Sequence, residues 1–145
     1  MTFTVDVKEW AAQAGLDLIE AKRAAALQVF SSVIMATPVG NASQWKNPKS
    51  APPGYVGGRL RGNWQASLDT PETGMLDTTD KNGSLTIQAV DAVVSGATGD
   101  SPIFLTNNLP YAHRIEYGGH SKQAPNGMVR VNILAWNRAV EEAAR

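Results

Sequence analysis

The sequence predicts a single α+β domain: a long N-terminal helix, a small mainly antiparallel sheet, short connecting helices and a C-terminal helix. Three observations predict it. From Asp6 to about Ala36 there is no proline and apolar residues recur at helical spacing, short β-rich runs follow in the middle of the chain, and helical spacing returns at its end. A length of 145 residues suits one domain with one core.

The first element is rich in Ala, Leu, Glu, Lys and Gln, all good helix formers. Asp6 followed by Glu9 resembles a capping box. Trp10, Ala14, Leu18, Ala21 and Ala25 recur at spacings of three and four, and Ile19, Ala26, Leu27, Phe30, Val33 and Ile34 broaden the stripe, with a weak point at Gly15. A helix of roughly 30 residues extends about 45 Å, longer than one face of this domain needs, so part of it is expected to face a neighbouring subunit. Thr37-Pro38 ends it, because the residue before proline is pushed out of the α region. Residues 39–58, with Pro48, Pro52, Pro53 and several glycines, read as a long loop or arm whose only aromatics are Trp45 and Tyr55. Such a loop in a small domain is either a solvated surface insertion or an assembly arm.

RLRGNWQASLD, Arg59 to Asp69, predicts a strand from about Asn63 with Trp64, Ala66 and Leu68 on one face. Turn formers fill Thr70 to Gly83. The next stretch reads as a strand over LTIQAV or as a helix gathering Leu85, Ile87, Val90 and Val94. The helix is favoured, with Ser84 as its cap and Gly96 near its end. PIFLT, Pro102 to Thr106, predicts a short buried strand. Pro110 suits the first position of a short helix carrying YAHRIEYG, which Gly118-Gly119 stops. Asn126 is the expected N-cap of a last helix from Met128 to Arg145, with Ile133, Trp136, Val140 and Ala144 on one stripe.

Composition narrows the function classes. Thirteen basic residues balance thirteen acidic ones, so there is no global basic signal for nucleic acid. The absence of cysteine removes disulfides, thiolate nucleophiles and zinc-thiolate sites. MTFTVDVKEW lacks the basic and small-residue marks of a secretory signal, so the protein is expected to be made and used without secretion. No run of apolar residues is long enough for a transmembrane helix, and no membrane partner is expected.

Chemistry-bearing residues crowd into NNLPYAHRIEYGGHSKQAP. His113 and Glu116 share a helix face, and His120 could add a third metal ligand. Yet the chain holds only two histidines, and polar residues on the outer face of a short helix explain the same spacing, so neither metal nor cofactor is expected. Ser121 beside His120 completes the enzyme alternative, a small hydrolase using His113, Glu116, His120 and Ser121, without the G-x-S-x-G elbow that would strengthen it. Gly57 to Gly62 lacks the Gly-Lys-Ser/Thr ending of a phosphate loop. Its Arg59 and Arg61, with Trp64 and Trp45 nearby, suit incidental contact with a DNA backbone or planar pairing with acids across an interface. Tyr111 and Tyr117, beside Arg114 and Glu116, have the composition of a protein interface, although Tyr111 equally suits the core. The expected contact residues are thus Trp45, Tyr55, Arg59, Arg61, Tyr111, Arg114, Glu116 and Tyr117.

NNLPYAHRIEYGGHSKQAPNGMVR, Asn107 to Arg130, resembles a pattern in the tail-completion or head-to-tail joining (neck) proteins of tailed bacteriophages. TPV at Thr37 to Val39 and GRLRGNW at Gly58 to Trp64 are similar to two further pieces of that family. In the family TPV often runs through an Asp-Thr-Gly turn into the Arg-Leu-Arg segment, whereas here Gly40 to Gly57 intervenes. The resemblance implies a structural virion protein, a small α+β subunit that assembles into a ring at the neck or tail top and links the DNA-filled head to the tail. It implies copies of itself and other neck, connector and tail proteins as partners, incidental contact with packaged DNA, and no catalytic residues. A tail terminator, which caps the tube, is the alternative within the same class.

Overall fold

The computed structural model describes residues 18–143, with side chains described for residues 19–138. The expected capping box at Asp6, the helical stripe before Leu18, Gly15, and the side chains of Val140 and Ala144 lie outside the described residues. The elements run α1 (Leu18–Ala36), α2 (Arg59–Gly62), β1 (Gln65–Leu68), α3 (Ser84–Val94), β2 (Ile103–Thr106), α4 (Ala112–Gly118) and α5 (Val129–Ala143). The fold is α+β, as the sequence predicts. Its sheet is a single antiparallel pair, in which Gln65 faces Thr106 and Leu68 faces Ile103.

The helical stripe of α1 is borne out from Ala21 onward, whereas Ile19 is 41% exposed. Ala21, Ala25, Val33 and Ile34 are buried, and Leu27 and Phe30 pack at the margin of the core. Val33 and Ile34 join Leu60, Trp64, Val90, Val94, Leu109 and Met128 in the main cluster, where burying each large side chain contributes about 1.5–3 kcal/mol. At Ala25 the small side chain leaves room for Trp136 of α5, which is how α1 packs on the last helix. No helix among the described residues is long and apolar enough to cross a membrane.

Four expectations need correction. The chain between Arg59 and Gly62 is one turn of helix, and the strand starts at Gln65, since four residues are too few to show a period. Trp64 and Ala66 do face the core, whereas Leu68 stays half-buried. The helix over Ser84–Val94 is present, but its buried face is Thr86, Val90 and Val94 with Ile87 beside them; Leu85 lies one residue off that face and is 67% exposed. β2 is half-buried rather than buried, because α3 packs against β1 and leaves β2 as the outer strand. Lastly, α4 begins at Ala112 rather than at Pro110, although its stop is as expected, with Gly119 in the left-handed conformation at φ 63°.

Candidate functional site

The three stretches that carry the phage resemblance meet in space. Thr37, fully buried, sits at the C-terminal end of α1, where its hydroxyl donates to the Val33 carbonyl at 2.7 Å. The same hydroxyl accepts the indole N–H of Trp64 at 2.7 Å. Its carbonyl accepts from Nε and Nη2 of Arg61 at 3.2 and 2.8 Å, and the guanidinium also donates to the carbonyls of Met35 and Lys81. A cation at a helix C-terminus meets the free carbonyls and the negative end of the helix dipole. Asn107, the first residue of the longest stretch, donates to the Leu60 carbonyl at 2.9 Å. TPV, GRLRGNW and the Asn107 block therefore form one hydrogen-bonded node. Arg61, expected as a contact residue, is engaged inside the molecule.

Glu116 is also relocated from the surface to the interior. Only 7% exposed, it projects from α4 onto the start of α5. Oε2 accepts the backbone N–H groups of Met128 and Val129 at 2.6 and 2.9 Å, and Oε1 accepts that of Arg130 at 3.0 Å. The Arg130 side chain closes the arrangement with an ion pair at 3.1 Å and a further bond to the Glu116 carbonyl. Burial pushes the carboxyl up, but the hydrogen bonds from Arg130, Val129 and Met128 outweigh it and hold Glu116 below the usual carboxylate range. This corrects the expected N-cap: Asn126 is exposed, and the orphan amides of α5 are satisfied from another helix. Gly127, at φ 92°, lies so close to the carboxylate that a Cβ there would stand 2.7 Å from Oε1.

Asp80, absent from the expected site residues, does similar work for α3. Its carboxylate accepts the Gly83 N–H at 3.1 Å and both the N–H and the hydroxyl of Thr86, at 2.8 and 2.7 Å. Burial raises its pKa, while Thr86, Gly83 and the Arg61 charge lower it further, so the net direction is down. Gly83 occupies the cap position that Ser84 was expected to fill. The available signal was an Asp three residues before a glycine and six before a threonine at the head of a helical pattern.

The arm folds back on itself. Gly57 is buried against the Gly40 carbonyl with no room for a side chain, and the Tyr55 hydroxyl lies over Gly40. Trp45 meets Tyr55 edge-on with ring centroids 5.0 Å apart. Gln123 ties down the arm's root by donating to the Val39 carbonyl at 2.9 Å and accepting the Val39 N–H at 3.0 Å. Between these walls runs an open groove of about 670 Å³, lined by residues 39–44 and 55–57 with Lys81 and Gln123. Burial pushes the Tyr111 phenol above its ordinary value, against the pull of the Arg59 charge, and Tyr55 adds to the rise.

On α4, the His113 ring packs on Tyr117 with centroids 4.5 Å apart, and Arg130 stacks over the Tyr117 ring at 4.5 Å. Arg114, on the same helix, is exposed. The His120 ring folds over Gly118, and Ser121 Oγ accepts the Gln123 N–H at 3.3 Å. Both carboxylate oxygens of Glu116 are occupied by α5, so this glutamate is not placed as a base for Ser121. Among the described residues no group of three His, Cys, Asp or Glu side chains is arranged to hold a metal ion. Comparison of the chain with models of protein families, with curated proteins and with solved structures finds no match in any of the three.

Proposed function

We propose that this protein is a structural subunit of a tailed-bacteriophage virion, forming part of the neck or completing the tail top by ring assembly. The observation that carries the reading is the node: Thr37, Arg61, Trp64, Leu60 and Asn107 come from the three separate stretches that resemble neck proteins, and they hold one another directly. That the three stretches pack together in one part of the fold supports the reading. Tyr55 on the arm, with Trp45 half-buried against it, and Arg59 and Tyr111 supply exposed side chains of interface composition. Many such modest contacts, repeated around a ring, become strong through multivalency.

Electron microscopy of lysates from a phage deleted for this gene, with plasmid complementation as control, tests the reading. Full heads beside separate tails of finished length are expected. Overlong tails would instead identify a tail terminator. Normal infectious particles would overturn the assembly reading and return attention to a hydrolase, for which H120A and S121A variants should lose all activity.

A further inference from the structure

The chain's charges divide by what they already do inside the molecule. From residue 21 to residue 68 the chain carries Lys22, Arg23, Lys46, Lys49, Arg59 and Arg61 and neither Asp nor Glu; from 69 to 80 it carries Asp69, Glu72, Asp77 and Asp80 and neither Lys nor Arg. Four of these are engaged internally. Lys22 donates to the carbonyls of Thr98, Gly99 and Ser101, Arg23 to that of Ala97, and Arg61 and Asp80 serve the helix ends described above. Lys46, Lys49 and Arg59 on one side, and Asp69, Glu72 and Asp77 on the other, are exposed, and among the described residues the one ion pair is that of Glu116 with Arg130.

Each group stands beside exposed apolar side chains. Tyr55 and Val56, 39% and 49% exposed, line the arm groove with Lys81, while Lys46 follows Trp45, which packs on Tyr55, and Arg59 stands two residues after Gly57 of the groove wall; in sequence the acids flank Met75 and Leu76, 55% and 40% exposed. The acidic loop is held in shape by the body. The Gly74 carbonyl accepts from Gln65 at 2.7 Å and Asn108 at 3.0 Å, the Glu72 carbonyl accepts from Asn108 at 2.9 Å, and the Leu76 N–H donates to buried Asn63 at 2.8 Å. A loop fixed in this way loses little conformational freedom on docking. At about 670 Å³ the groove has room for a short segment of chain.

We propose that the Asp69–Asp77 loop of a second copy of this chain seats in the arm groove, with Met75 and Leu76 covering Tyr55 and Val56 and the three acids facing Lys46, Lys49 and Arg59. The proposal rests on the reading of this protein as a self-assembling subunit and names the surfaces through which copies meet. The contact joins two different surfaces, so each copy both gives a loop and offers a groove, the arrangement from which rings are built.

Sedimentation of purified wild type, of K46E/K49E/R59E and of D69K/E72K/D77K, alone and mixed, tests it. The wild type is expected to self-associate, and to dissociate as salt rises from about 0.01 to about 1 M and the Debye length falls from about 30 to about 3 Å. Each reversed variant alone should associate at least about tenfold more weakly, and an equimolar mixture should recover the association. Circular dichroism checks that the variants fold, which their exposed positions favour; R59E and D77K form a milder pair should a triple variant fail. A wild type that stays monomeric up to about 1 mM, a reversed variant that associates as the wild type does, or a mixture that fails to recover would each overturn the pairing. If wild type and variants associate alike, the pairing falls while the subunit reading stands, because the phage deletion tests that reading separately.

Discussion

Two helices of this protein begin against a buried carboxylate, and the two carboxylates come from different distances along the chain. Asp80 reaches three to six residues forward to Gly83 and Thr86, so α3 carries its own cap with it. Glu116 reaches twelve to fourteen residues, from α4 to Met128, Val129 and Arg130, so the start of α5 depends on a helix already in place. The first device stabilises one helix. The second ties two helices together and makes their unfolding a shared event.

The largest expected effect follows from removing the long-range cap. Glu116→Ala leaves three amides and the Arg130 charge without their partner and should destabilise by about 3 kcal/mol. Urea unfolding gives the loss, and hydrogen exchange should show α4 and α5 opening together. Next comes Gly127→Ala, expected at about 2 kcal/mol, because a side chain at φ 92° is strained and its Cβ would push on the Glu116 carboxylate. Asp80→Ala should cost about 1–2 kcal/mol, with exchange quickening only in the first turn of α3. If it instead opened the whole molecule, the contrast between a local and a remote cap would be wrong.

Acidification sharpens the comparison with a smaller perturbation, since protonation removes the charge but leaves the carboxyl in place. Both carboxylates titrate lower in the folded protein than in the unfolded chain. Their stabilisation is therefore complete above the unfolded values, about 4.3 for Glu and about 3.9 for Asp, and is lost as pH falls below them toward the folded values. Urea midpoints should drop below about pH 4, and the D80N/E116Q double variant should show a flatter dependence. Smallest of all, Arg130→Met should cost about 1 kcal/mol or less, because that side chain is 37% exposed and the three amides of α5 keep their acceptor.

The elements that depend on periodicity were legible in the sequence. Ala21 and Ala25, and Leu27, Phe30 and Ile34, follow the inner side of α1 at spacings of three and four, and Ile87, Val90 and Val94 do so for α3. Features that depend on distant partners were not. Asn126 is the plausible cap within its own neighbourhood, and no local pattern reveals that a glutamate on the previous helix takes that role. Glu116 and Arg61 were expected at the surface because charged residues rarely lie inside unless paired. Their partners are largely backbone amides and carbonyls, which every residue carries and which a string of side chains does not display. The groove was equally hidden, since it exists only once Gly57 rests on Gly40.

That last contact has a consequence for how the molecule can change. The chain departs at Gly40 and returns at Gly57 with the two backbones touching, so residues 41–56 form a bracketed cassette. Excising it and closing the gap with a short turn leaves Gln123 on Val39 and Arg61 on Thr37, and the rest of the fold keeps its register. The cassette can therefore lengthen, shorten or be exchanged for a foreign epitope while the body stays the same, so that this part of the surface can diverge without the fold being rebuilt.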